Sequence, residues 1–158
     1  MKLTNKEDIE NTIYSTIKID NDFLSMSDEL RTIEELFYKV FELNPCPMSI
    51  NSLNDGYIID VNQSFLDIID VKNKKDILGK ITTEEGLNII KHKDKKYVID
   101  YIKKNGLIKN YLTTFKTLKG KKIKGLFSAS IITLNKKECL LTICQIVNRI
   151  CLTDILFR

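Results

Sequence analysis

Three apolar-rich segments near the C-terminal end, Leu107–Leu118, Ile123–Leu134 and Glu138–Val147, constrain the fold most strongly. They read as strands, and the connections Lys119-Gly120-Lys121 and Asn135-Lys136-Lys137 are short enough for antiparallel hairpins. Upstream, Met48–Leu53 and Tyr57–Val61 flank Asn54-Asp55-Gly56, a hairpin signal because glycine accepts a positive φ. Two such short strands are not stable as an isolated hairpin, so they join the late three in one sheet. Between the two groups, Asn62 caps a short helix that buries Phe65, Leu66 and Ile69. Short helical pieces broken by Gly79 and Gly86 follow over 70–92. A clearer helix at Asp94–Lys104 places Val98, Tyr101 and Ile102 on one face, and Asn105-Gly106 ends it. The predicted architecture is α+β: a five-stranded antiparallel sheet with helices over one face, plus an N-terminal helical extension.

The extension has its own pattern. In residues 1–22, Thr4 and Glu7 have capping-box spacing, Ile9, Ile13 and Ile17 share a face, and Asn21-Asp22 interrupts the pattern. A second helix is expected over 23–43, where Phe23, Met26, Leu30, Ile33, Phe37 and Val40 alternate spacings of three and four. Two readings of this stripe stay open: a helix packed on its own sheet, or a dimerisation helix built on Met26, Leu30, Ile33, Phe37 and Val40. Asn44-Pro45-Cys46-Pro47 stops it, since proline disfavours helix at the residue before it. The expected organisation is a helical extension over 1–35, a domain over 36–148 and a tail helix over 149–158.

Composition narrows function by exclusion. With 158 residues, one core is expected, and 43% hydrophobic residues suffice to fill it. The net charge of +4 comes from lysines scattered in runs at Lys72–Lys75, Lys91–Lys96 and Lys116–Lys124, read as solvated faces. Nucleic-acid binding would call for arginines and a docking motif, and the arginines are only Arg31, Arg149 and Arg158. No stretch reaches the roughly 18–20 apolar residues that span a bilayer, and the polar start after Met1 is unlike a signal peptide, so no membrane role and a cytoplasmic location are expected. Cys46, Cys139, Cys144 and Cys151 form no C-x-x-C pair and are expected as free thiols without a metal. No nucleophile–base pairing or phosphate-cradling glycine loop stands out, so no catalysis is assigned.

The order of elements, with its punctuating residues, resembles the S-box branch of the PAS family over about Leu36–Asn148, roughly 70% of the chain. The resemblance rests on Phe41, Pro45, Pro47 and Met48, then Asp55, Gly56, Asn62 and Phe65, and Leu78-Gly79-Lys80. It continues through Gly106, Gly120, Leu126-Phe127-Ser128-Ala129 and Glu138-Cys139-Leu140-Leu141. Each of these residues also has a local job in turns, caps or core.

The resemblance implies a non-catalytic sensory module that binds a small ligand or a partner protein and dimerises. It also implies a cavity between the sheet and the longer helix, for which Val98, Ile102, Leu112, Leu126, Ser128, Ser130 and Cys144 are the inward candidates. A collapsed, fully packed core is the open alternative, and with it a pure interaction scaffold, or a regulatory fragment of a larger kinase, cyclase or transcription regulator. Flavin and haem are both argued against: Lys80–Ile90 lacks the reactive cysteine of the light sensors, and the axial-histidine position of the haem sensors falls near Lys95. His92 is read as a solvated residue before the helix. Phe23–Thr32 is similar to a kinase phosphoacceptor box, but Asp28 stands where the histidine belongs. Ile146-Val147-Asn148 replaces the aspartate-isoleucine-threonine triplet that usually couples such a domain to its output helix, so output is expected to run through a partner or the N-terminal helix.

Overall fold

The computed structural model describes residues 6–147, with helix α1 at Lys6–Glu42, strands β1 at Met48–Ser52 and β2 at Ile58–Val61, and α2 at Gln63–Ile69. A 3-10 turn at Lys74–Asp76 precedes α3 at His92–Asn105, and β3 (Leu107–Lys116), β4 (Lys122–Leu134) and β5 (Lys137–Ile146) complete the chain order. The five strands form one antiparallel sheet in the order β2-β1-β5-β4-β3. The first hairpin therefore joins the sheet along β5, with Ser49 opposite Thr142 and Asn51 opposite Leu140. The tail helix expected over 149–158 lies outside the described residues, as does Thr4 of the expected capping box.

The chain divides into two compact units, residues 1–40 and 41–158. In the first, α1 runs without a break through Asn21-Asp22, where two separate helices were expected. Asn and Asp are only mildly poor helix formers, costing about 0.7 kcal/mol each against alanine, and no proline or glycine interrupts the segment. Continuity brings Ile19 into the same three-and-four spacing as Met26, Leu30, Ile33, Phe37 and Val40, a stripe whose described members are all exposed.

In the second unit the elements end where local chemistry ends them. Asn62 caps α2, its side chain accepting from the Phe65 N–H at 3.0 Å, and Asp70 closes the helix in the left-handed region at φ 64°. The helix expected at Asp94–Lys104 begins at His92, whose exposed N–H donates to Glu84 Oε2 at 2.7 Å. Glu84 thus supplies the cap that Lys91 does not. The β4–β5 turn is tighter than the loop read from sequence, with Asn135 and Lys136 both at positive φ, 49° and 63°, as a two-residue hairpin requires. Helices α2 and α3 and the 70–91 segment cover one sheet face. Val98 and Ile102 are buried there, each contributing about 1.5–3 kcal/mol. The other face carries a smaller cluster of Phe41, Met48, Ile50 and Cys139, so all five residues of β1 are buried.

Candidate functional site

A cavity of about 80 Å³ lies between the sheet and its covering elements. Its floor comes from β1, β3, β4 and β5, and its walls from α2, the 77–91 segment and the first turns of α3. Phe65, Ile69, Ile89, Phe127 and Leu140 make most of the lining apolar. The depth of the floor depends on Gly125: a Cβ there would overlap Cys144 Sγ and press on the Phe115 ring. Burial pushes the Cys144 thiol up to about 11 from its ordinary 9.0, so at neutral pH it is an uncharged wall group and a poor nucleophile.

The polar groups of the lining are few, and their hydrogen bonds can be followed one proton at a time. Ser49 Oγ donates to Asn51 Oδ1 at 2.7 Å. The Ser49 hydroxyl has one proton, so at its 2.7 Å contact with Thr142 Oγ1 it is Thr142 that donates. The chain Thr142→Ser49→Asn51 ends on the amide oxygen. The Asn51 amide nitrogen is buried and has no hydrogen-bond partner among the described residues. An unmade bond at a buried donor costs about 1–3 kcal/mol, and native cores contain few such groups.

Lys95 is the second unusual group. It sits in the first turn of α3, with Nζ donating to the Gly56 carbonyl at 3.1 Å and to Thr82 Oγ1 at 3.3 Å. No carboxylate of the described residues lies within ion-pair distance of it, and burial lowers its pKa. A half-buried ammonium held only by neutral oxygens is an uncompensated charge beside an apolar cavity.

Of the residues expected to face the cavity, Val98 and Cys144 line it. Ile102 is buried in the adjoining cluster with Leu53, Ile108 and Ala129. Leu112, Leu126, Ser128 and Ser130 do not line it. They lie on the opposite sheet face, as their cross-strand partners show: Leu126 pairs Leu112, Ser128 pairs Ile143 and Ser130 pairs Leu141. Both phases of β4 are apolar, with Leu126 and Ile132 on one face and Phe127, Ala129 and Ile131 on the other, so alternation alone left the facing undecided. The two hydroxyls have local work instead. Ser128 Oγ accepts from the N–H of Asn110, which bulges from β3 at φ 54°, and Ser130 Oγ donates to the Gly106 carbonyl.

Sequence reasoning passed over Ser49, Asn51 and Lys95. Two signals were present. Ser49 and Asn51 alternate with Met48 and Ile50 in a short strand, marking one polar face of an element that must be buried. Lys95, inside a run read as solvated, stands three and seven residues before Val98 and Ile102 on the buried side of α3. The same run meets the Lys116–Lys124 run in space, where Lys91, Lys93, Lys116, Lys122 and Lys124 border a separate open groove.

The cavity wall is anchored to the chain preceding the sheet through Asn62, which is fully buried. Its Oδ1 accepts from the Met48 and Phe65 N–H groups, and its Nδ2 donates to the carbonyls of Phe41, Cys46 and Asn44. One side chain thus fixes the first residue of β1, the start of α2 and the end of α1. Nearby, Lys74 pairs with Glu42 at 2.8 Å and Asp60 at 2.9 Å.

No helix among the described residues is long and apolar enough to cross a membrane. No curated protein matches the chain by sequence. A family model described as PAS domain matches residues 35–99, from the end of α1 into α3. Among solved structures, the PAS domain of an HTR-like protein from Haloarcula marismortui is similar with a TM-score of 0.62 at 16% identity, over 78% of this chain and 98% of that one. A PAS domain from Colwellia psychrerythraea gives 0.60 at 16% identity, over 73% and 97%. A domain of a sensory box sensor histidine kinase/response regulator from Geobacter sulfurreducens gives 0.56 at 17% identity, over 73% and 96%. At such identities the structural likeness is one of fold, and the family match covers β1, α2, the 77–91 segment and the first turns of α3, while β3, β4 and β5 of the cavity floor lie beyond it. Residues 35–99 match the PAS domain family, and the described fold is the PAS fold.

Proposed function

We propose that this chain is a non-catalytic, cytoplasmic sensory module that takes a small ligand in the cavity beneath α3 and works as a homodimer paired through α1. The cavity itself carries the proposal: apolar walls drawn from six elements, with a few placed polar groups, are the usual composition of a ligand pocket. Its size argues for a ligand smaller than flavin or haem, because pockets for drug-sized molecules run to about 300–1,000 Å³. A route from ligand to output is short. Helix α2 forms part of the wall, Asn62 caps α2, and the same side chain holds the carbonyl of Phe41 in the last turn of α1. A ligand that binds two settings of α2 unequally would bias the end of α1, and through it a signalling partner or output domain.

Native mass spectrometry and ultraviolet–visible spectroscopy on freshly purified protein test the ligand reading. A co-purifying small molecule, or one that raises the melting temperature by mass action, is the expected result. A protein that holds nothing and is stabilised by nothing would leave an interaction scaffold, a reading favoured by the exposed stripe on α1. For the dimer, light scattering on the Ile33→Glu, Phe37→Glu double variant should give monomers, and an unchanged dimer would remove α1 as the seam.

A further inference from the structure

The cavity, read above as a ligand pocket, also carries the chemistry of what it takes. Its apolar walls offer no polarity of their own, so the ligand's polar end must meet the few groups placed among them. Two of these lack the partner their chemistry calls for. Asn51, 4% exposed, keeps its carbonyl oxygen on Ser49 and leaves its Nδ2 donors unused. The Thr142→Ser49→Asn51 chain polarises that amide in the sense that makes its N–H groups better donors. Lys95 lines the same cavity, and its ammonium has as acceptors only the Gly56 carbonyl and the hydroxyl of Thr82, itself a lining residue. Both orphaned groups are donors and one is a cation, so the missing partner is an acceptor and an anion.

Size and surroundings narrow the anion further. An engineered cavity of about 150 Å³ accepts benzene, so one of about 80 Å³ holds about three to five non-hydrogen atoms. Phosphate or sulfate would fill that space with oxygens facing Phe65, Ile69, Ile89 and Phe127, where nothing could satisfy them. A carboxylate puts its two oxygens at one end and leaves hydrocarbon for the walls. We propose that the cavity binds a short-chain monocarboxylate, its oxygens accepting from Lys95 Nζ and Asn51 Nδ2 and its tail lying against the aromatic and aliphatic wall. This inference rests on the ligand-pocket reading and adds to it the class of ligand. Burial of the ammonium, which disfavours its charge in the empty protein, is relieved when the carboxylate arrives.

The test is calorimetric titration and thermal melting of the full chain with sodium acetate, propionate and butyrate at constant ionic strength set with sodium chloride. Propionamide, 1-propanol and inorganic phosphate serve as comparators. Propionate should bind and raise the melting temperature, and propionamide of nearly the same shape should bind at least about tenfold more weakly. Lys95→Met should weaken propionate at least about tenfold, and Asn51→Leu by a similar factor, while both raise the melting temperature of the empty protein by removing an uncompensated group. Should either variant fail to fold, the ligand series on the unaltered chain still decides the matter. Equal binding of propionate and propionamide, tighter binding of phosphate, or undiminished propionate binding by folded Lys95→Met overturns the carboxylate assignment and leaves the ligand pocket standing. If none of the compounds binds and no co-purifying molecule is found, the pocket reading falls as well.

Discussion

Among the described residues two asparagines are buried, and they stand in opposite conditions. Asn62, at the junction of α1, β1 and α2, uses both ends of its amide in five hydrogen bonds. Asn51, on the cavity floor, uses only its oxygen. Burial is nearly identical, so exposure does not separate them. Hydrogen-bond satisfaction does. A buried amide with every bond made is a structural clamp, because its loss would take a partner from several buried backbone groups at once. A buried amide with donors to spare and a cavity beside it is available to a ligand.

The largest expected effect breaks the clamp. Asn62→Ala takes the side-chain partner from the Met48 N–H and from the Phe41 and Cys46 carbonyls, while Ser64 Oγ still donates to the Asn44 carbonyl, and it removes the α2 cap, so chemical denaturation should show a loss of about 3–4 kcal/mol. Asn62→Asp keeps the acceptor but sets a carboxylate against the carbonyls of Phe41, Asn44 and Cys46, so it should rescue little. A smaller loss, about 2 kcal/mol, is expected when the cavity floor is overfilled by Gly125→Ala. Adding Cys144→Ala should recover most of it, read as a coupling energy in a double-mutant cycle. A full loss persisting in the double variant would show that Phe115 or the Gln145 carbonyl, not the sulfur, sets the clearance.

Titration separates the regions more finely. The folded pKa of Cys144 is raised, so its stabilising contribution is complete below about pH 9 and is lost as pH rises toward about 11. The difference in unfolding free energy between the native chain and Cys144→Ala, read from urea denaturation, should therefore shrink by about 1–2 kcal/mol across that window. Lys95 has the opposite sign. Its folded pKa is lowered, so the unfavourable charge is relieved as pH rises through that value, and Lys95→Met should flatten this gain. The smallest effect completes the asparagine comparison. Asn51→Leu should raise the stability of the empty protein by less than about 1 kcal/mol, because loss of the Ser49 bond offsets part of the gain from removing the unused donor. A loss as large as that of Asn62→Ala would make Asn51 a second clamp and erase the distinction.

Much of the architecture was legible in local chemistry. Asn62 as a cap, Asp-Gly and Gly106 at turns, the double proline after α1 and the spacing of Val98 and Ile102 are decided by neighbours a few residues away. The site was legible only in part. Val98 and Cys144 line the cavity, whereas Leu112, Leu126, Ser128 and Ser130 lie on the opposite face of the sheet. When both phases of a strand are apolar, one-residue alternation names two faces without saying which is inside. The facing was decided by the helices, which cover Phe127 and Ala129, and by the β3 bulge, which claims Ser128.

What the sequence determined by itself was the order of elements from α2 onward and most of their ends, because caps, turns and periodicity act over a single turn of helix or one hairpin. Tertiary structure alone decided which side of the sheet is covered and which buried polar groups find partners. Ser49 meets Thr142 only because β1 pairs with β5 across the middle of the chain. Such pairing exists only after the long-range sheet closes, and it is this closure that leaves Asn51 and Lys95 facing a cavity, whereas Asn62 finds its partners between residues 41 and 65.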